Sequence, residues 1–288
     1  MTRFRSGFLA VVVVVGVLVA GTLVGPRAVP TDFFARMSGT ATADSDALAD
    51  SIAQRLRRAH GADALASAPY LRLTFALDTP DGTRVIGRHL WDRTTGRYRV
   101  EWQKAPDSVY VALINVRKGT DSLPEGTVYR NGTALTGDAE TEARRTAYQR
   151  FINDMYWLLA PLKVADPGVN RTYLPDSSTA THDVLHLTFG DVGLTPDDEY
   201  WLYISKGTGR LDRWAFHLQG MDDDAPPQVY DWTEDTTLTA PEGPVALSTR
   251  KAAVNGSQAI LTTDLALPSQ PPDGAFSTPT PLLDRPEN

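Results

Sequence analysis

The chain has no cysteine in 288 residues. That excludes disulfides, thiolate metal sites, a cysteine nucleophile and acylation at an N-terminal cysteine. An exported protein without disulfides must be held together by its core alone. Excess positive charge is also missing. The 28 basic residues face 35 acidic ones, a balance that argues against nucleic-acid binding and against unaided adsorption to anionic lipid. No G-x-S-x-G, P-loop or dinucleotide fingerprint occurs, so the common motif-bearing hydrolase, NTPase and dehydrogenase classes have no support. No cofactor is implied.

One long hydrophobic run is present, and it stands at the start. Arg3 and Arg5 precede 17 apolar or small residues, Phe8 to Val24. The run is at the lower limit for a bilayer span and long for a signal-peptide core. Residues 1–25 are therefore read as a signal peptide or an N-terminal membrane anchor, with both alternatives open. In either case the body lies outside the cytoplasm: periplasmic, or held on the outer face of the inner membrane. Residues 26–43 read as a linker. The tail, 268–288, carries six prolines in 21 residues and reads as extended or loose.

Between these ends the pattern is regular. An amphipathic helix is expected near 44–60, with Leu48, Ile52 and Leu56 on one face and Gly61 as its stop. From Tyr70 the apolar period becomes two, and short turns such as Pro80-Asp81-Gly82 and Asn131-Gly132 separate the segments. The meander breaks at Tyr148–Gly168, YQRFINDMYWLLAPLKVADPG, then resumes to Leu267. Within the break, Ile152, Met155 and Leu159 recur at helical spacing, and Phe151 and Leu158 widen the stripe. Pro161 is expected to stop the helix near Ala160. Trp157 falls opposite the stripe, so this helix is either covered on both sides or closes a cavity with Trp157 pointing in.

The fold class expected is α+β: a large curled antiparallel sheet of about 10–11 strands, a half-open β-barrel, with helices on its concave side, over residues 44–267. A concave apolar face suits a greasy ligand. The cavity candidates are Phe75, Trp91, Trp102, Phe151, Met155, Trp157, Tyr203 and Trp214. Alternation alone leaves open whether they line a cavity or fill a core. Asn153, Asp154 and Asp166 are the polar residues of the central stretch, read first as backbone partners at the helix end and turn.

His182 and His186 lie four apart on a strand, about 13 Å, too far to share one zinc. His89 and His217 are read as structural. Asp197-Asp198-Glu199 and Asp222-Asp223-Asp224 lack the glycine-punctuated spacing of a calcium loop, so no metal site is expected.

A helix, a long meander, a central helix and a second meander behind a signal sequence resemble the LolA/LolB-like outer-membrane lipoprotein carrier superfamily. FINDMYWLLAPLKVADPG at 151–168 and GLTPDDEYWLYI at 193–204 are similar to an uncharacterised secreted branch of it. The resemblance implies a non-enzymatic envelope protein that binds or carries a lipid, acyl chain or lipoprotein. The absent cysteine means that this chain, unlike LolB, is not itself expected to be lipid-anchored. The alternative from a different class is a membrane-tethered protein-interaction domain with a filled core, its partner membrane the inner one if residues 1–25 are retained. A third, lower reading is an envelope hydrolase with two converging carboxylates.

Overall fold

The computed structural model describes residues 45–120, 123–189 and 197–283. The segments 1–25 and 26–43, most of the Gly193–Asp198 loop, and the last five residues of the tail lie outside them. The elements run α1 (Ser45–Ala59), α2 (Ala62–Ser67), β1 (Tyr70–Thr79), β2 (Gly82–Asp92), β3 (Arg97–Ala105), β4 (Ser108–Thr120), β5 (Leu123–Arg130) and β6 (Thr133–Ala134). Then follow α3 (Gly137–Lys163), β7 (Val169–Tyr173), β8 (His182–Phe189), β9 (Glu199–Ser205), β10 (Leu211–His217), β11 (Gln228–Ala240), β12 (Gly243–Ala253) and β13 (Ala259–Ala266).

All 13 strands form one antiparallel sheet, in the order β6-β5-β4-β3-β2-β1-β13-β12-β11-β10-β9-β8-β7. Each meander is built from neighbours in sequence. The two meanders meet at the centre, where β1 pairs with β13 and Leu77 lies opposite Ile260. The sheet is not closed: β6 and β7 are its edges. These are also the two strands not expected from the sequence. The two-residue β6 is too short to show a period, and β7 (VNRTY) has one apolar anchor, Val169.

The sheet curls, and its side-chain contacts show it. On α3, Phe151 meets the Trp91 ring of β2 at 5.0 Å between centroids, and Trp157 meets Trp214 of β10 at 4.7 Å. Six helical residues advance only about 9 Å. Five strand spacings, the separation of β2 from β10 in a flat sheet, come to about 24 Å. One helix reaches both only because the sheet wraps around it. All three helices lie against the same face: α1 on β7 and β8, α2 on β11 and β12, α3 on β4, β5 and β12.

Three local expectations are corrected. Leu48 is exposed on α1, and the buried stripe is Ala49, Ile52, Ala53 and Leu56. Alanine allows closer approach than the four-residue leucine step suggested. The helix α3 does not stop before Pro161 but continues to Lys163. Proline this near a C-terminus costs one hydrogen bond of the last turn, and Pro161 is itself buried. The tail is not loose through its described part. Residues 275–283 are pinned to the outer face of β3, where Arg99 and Glu101, in the polar phase of the strand, are 0% and 3% exposed.

Gly61 links α1 to α2 in the left-handed region, φ 75°, and a Cβ there would stand 2.2 Å from the Pro244 carbonyl oxygen. Gly61→Ala is therefore expected to cost at least about 2 kcal/mol, from αL strain and a backbone shift at β12. Urea denaturation would read this as a lower midpoint at unchanged slope.

Candidate functional site

The concave face carries one polar knot and one wall of rings. The knot forms where α3 crosses β2 and β3. Asp154 Oδ2 lies 3.2 Å from His89 Nε2, and His89 Nδ1 lies 2.5 Å from the Tyr98 hydroxyl. The Asp154–His89 contact has ion-pair length without hydrogen-bond direction. Asn153 Nδ2 donates to Asp154 Oδ1 at 2.8 Å. Asp154, His89 and Tyr98 are all at or below 2% exposure. Burial, with the Asp154 charge behind it, pushes the Tyr98 phenol well above its ordinary value. A phenol held protonated and shut off from solvent is a poor base and nucleophile. The knot therefore ties α3 to the sheet. Asp154 serves a side chain of the sheet rather than the helix end, and Asn153 holds Asp154. Asp166 instead closes the turn after α3, pairing with Lys163 and accepting the Val169 N–H.

The ring wall lies on the other half of the face. Trp157 packs edge-on against Trp214 at 4.7 Å, Tyr230 at 4.9 Å and Phe216 at 5.8 Å. Tyr156 meets Tyr200 at 5.2 Å, and Trp214 meets Trp232 at 5.1 Å. Edge-to-face pairs of this kind add stability beyond the area they bury. Between Phe151 and Leu162 no residue of α3 is exposed, so the helix is covered all round. Sequence reasoning singled out Trp157 and Trp214 but missed Tyr156, Tyr200, Tyr230 and Trp232. The period-two phase of β9 to β11 carried that signal.

The eight cavity candidates do not form one group. Trp157 and Trp214 touch in the wall. Trp91 and Phe151 touch beside the knot. Trp102 stacks on Tyr110 at 5.0 Å under the Arg150 guanidinium. Phe75 and Met155 are in the main core. Tyr203 is set apart, in a second cluster with Leu174, Val184, Trp201, Ala215 and Val229 on the opposite face. Tyr200 and Leu202, one strand phase away, point inward to the main core. The histidines His182 and His186 pair with Asp212 at 3.0 Å and Glu199 at 2.9 Å.

Two features of the concave face were not foreseen. The indole N–H groups of Trp91, Trp214 and Trp232 are buried and have no acceptor among the described residues, as is Trp201 on the other face. Indole only donates, and most buried donors are satisfied. The second feature is Lys251 of β12, which is fully buried. Its ammonium donates to the Ser248 carbonyl at 2.6 Å and lies 3.4 Å from Thr262 Oγ1 and 5.0 Å from the Trp232 ring centroid. Its phase with Val245, Leu247 and Ala253 along β12 was the available sequence signal.

Burial lowers the Lys251 ammonium to about 7, against a weaker opposing pull from Asp235. The unfolded chain keeps that proton up to about 10.5, so between these values it binds more protons than the folded chain. Stability from this group thus rises as pH goes from about 7 towards 10, and the cost of charging Lys251 is present in full below that window. Buried tyrosines, their phenols raised, reverse the slope only above 10. The urea midpoint is expected to increase from pH 7 to pH 9, and Lys251→Met is expected to flatten that rise.

No protein-family model matches the chain, and no curated protein does. Solved structures do. A DUF1329 family protein from Desulfovibrio piger is 10% identical at a TM-score of 0.44, over 80% of this chain and 97% of that one. A putative outer membrane lipoprotein-sorting protein domain from Vibrio parahaemolyticus is 8% identical at a TM-score of 0.44, over 81% and 97%. The MucA/MucB complex of Pseudomonas aeruginosa gives 12% identity and a TM-score of 0.18, over 80% and 97%. A lipoprotein-sorting domain, the class named by the sequence resemblance, is thus among the structural neighbours.

Proposed function

We propose that this chain is a non-enzymatic binding or carrier protein of the cell envelope, and that a lipid, acyl chain or lipoprotein is its cargo. The concave face beneath α3 is where the cargo is received, in exchange for the ring contacts that fill it in this structure. The ring wall carries the reading, because its half-buried rings (Trp157, Tyr156) come with buried indole donors that lack acceptors among the described residues. An apolar concavity with a few unspent donors fits a molecule of long hydrocarbon and one polar end. The sealed Asp154–His89–Tyr98 knot supports a role without catalysis. Residues 1–25 deliver the body across the inner membrane, as a cleaved signal or a retained anchor, with 26–43 as the linker and 44–267 as the binding domain.

Native mass spectrometry of the exported full chain tests this. The expected result is a lipid-sized added mass, lost on organic extraction, with the stripped protein rebinding dodecanol. A clean apo mass together with no rebinding would overturn the proposal.

A further inference from the structure

We infer that the cargo has an anionic head, a long-chain carboxylate, and that Lys251 holds it with the indole N–H groups of Trp232 and Trp214. This rests on the carrier reading and narrows it. The argument begins from Lys251, a fully buried cation on the concave side of β12. Buried charges are normally paired. Among the described residues no carboxylate lies at ion-pair distance from this ammonium. The acid whose charge acts on it, Asp235, is already paired with Arg210 at 2.7 Å. Lys251 has three N–H donors. One is spent on the Ser248 carbonyl, and a second has a long contact with Thr262.

The surroundings complete the site. The ammonium sits over Trp232, and Trp232 packs on Trp214 at a 74° interplanar angle. Trp214 and Trp232 are 1% and 5% exposed, and neither indole N–H has an acceptor among the described residues. Two indole N–H groups without acceptors among the described residues and an ammonium without a counterion, within one aromatic cluster, are the complement of a carboxylate, which only accepts. The surrounding rings of Trp157, Tyr230 and Phe216 offer the apolar surface for its chain. A neutral alcohol or ester would use the rings and leave the ammonium without a counterion. Phosphate diesters carry the same charge but demand more room than a single carboxylate at a position this enclosed.

The test compares dodecanoate with dodecanol, titrated into the delipidated full chain at pH 6.5 and followed by tryptophan fluorescence. Dodecanoate is expected to bind about tenfold or more tightly than dodecanol, the scale of one charge-assisted contact. Lys251→Met is expected to remove that preference. Trp232→Phe keeps the ring, deletes the N–H, and is expected to weaken dodecanoate selectively, which covers the case of a poorly folding Lys251 variant. Equal binding of the two ligands by wild type, or a preference that survives both variants, would overturn the anion site while the carrier reading stands. Lys251 would then be a strut between β12 and β13. Binding of neither ligand would remove both.

Discussion

Arg99→Met is expected to lower unfolding free energy by about 3–5 kcal/mol, the usual cost of breaking a buried ion pair from one side. Arg99 Nε donates to Glu101 Oε1 at 2.5 Å, with both side chains sealed. The same guanidinium donates to the carbonyls of Ala275 at 3.1 Å, Thr278 at 2.8 Å and Thr280 at 2.5 Å. Glu101 accepts the Leu282 N–H at 2.8 Å and the Leu283 N–H at 3.1 Å. The pair is thus a clamp on the main chain of the tail. Removing Arg99 leaves a buried carboxylate without its cation and three carbonyls without a donor. Denaturant unfolding should show the loss. Amide exchange should show faster exchange at 275–283 with little change at the ring wall. An Arg99→Met, Glu101→Leu double variant should recover much of the stability but not the tail protection, because the charge problem is solved and the hydrogen bonds are not. A tail still protected in the double variant would mean that Phe276, stacked on Tyr70 and under Arg97, anchors it instead.

Trp214→Ala is expected to cost a similar amount, about 3–5 kcal/mol. Trp214 is the hub of the wall, touching Trp157, Tyr156, Tyr200, Phe216 and Trp232. Its loss opens a cavity that five rings border, on a curved sheet that cannot easily collapse into it. Trp214→Phe keeps most of those contacts and is expected to cost less than half as much. Thermal unfolding of the two variants reads the difference. An alanine variant within about 1 kcal/mol of wild type would mean the wall is not well packed, since truncations of that size in a close-packed core are never so cheap.

The sheet and its central helix were legible in the sequence because period two and period 3.6 are local signals. Strands β1 to β5 and β8 to β13 each carry their own alternation or turn. The two edges were not legible: β6 has two residues, and β7 has a single aliphatic residue, Val169. Pro161 misled because a propensity rule took no account of a helix that ends one turn later. Arg99 and Glu101 alternate with Tyr98, Val100 and Trp102, and alternation identifies two faces but not what lies on each. The tail that covers them is 170 or more residues away along the chain. Asp154 was misplaced for the same reason, while His89 was read as structural without its partners. A strand histidine and a helix aspartate mean little until the curl brings them together. The cavity candidates were chosen by residue type, and phase would have separated Tyr203 from Tyr200 at once.

The order of strands sets the order of folding. Each meander can assemble from hairpins whose partners are a few residues apart, and such pairings form quickly. The seam between β1 and β13 is different: Arg72 meets Ala266, about 190 residues away. Closure of that seam is the slow, entropically expensive event, and until it occurs each half-sheet exposes a central strand as a free edge. A chain without cysteines cannot hold those halves in place by covalent means. In the interval before closure, the two inward edges are the most aggregation-prone surfaces of the molecule.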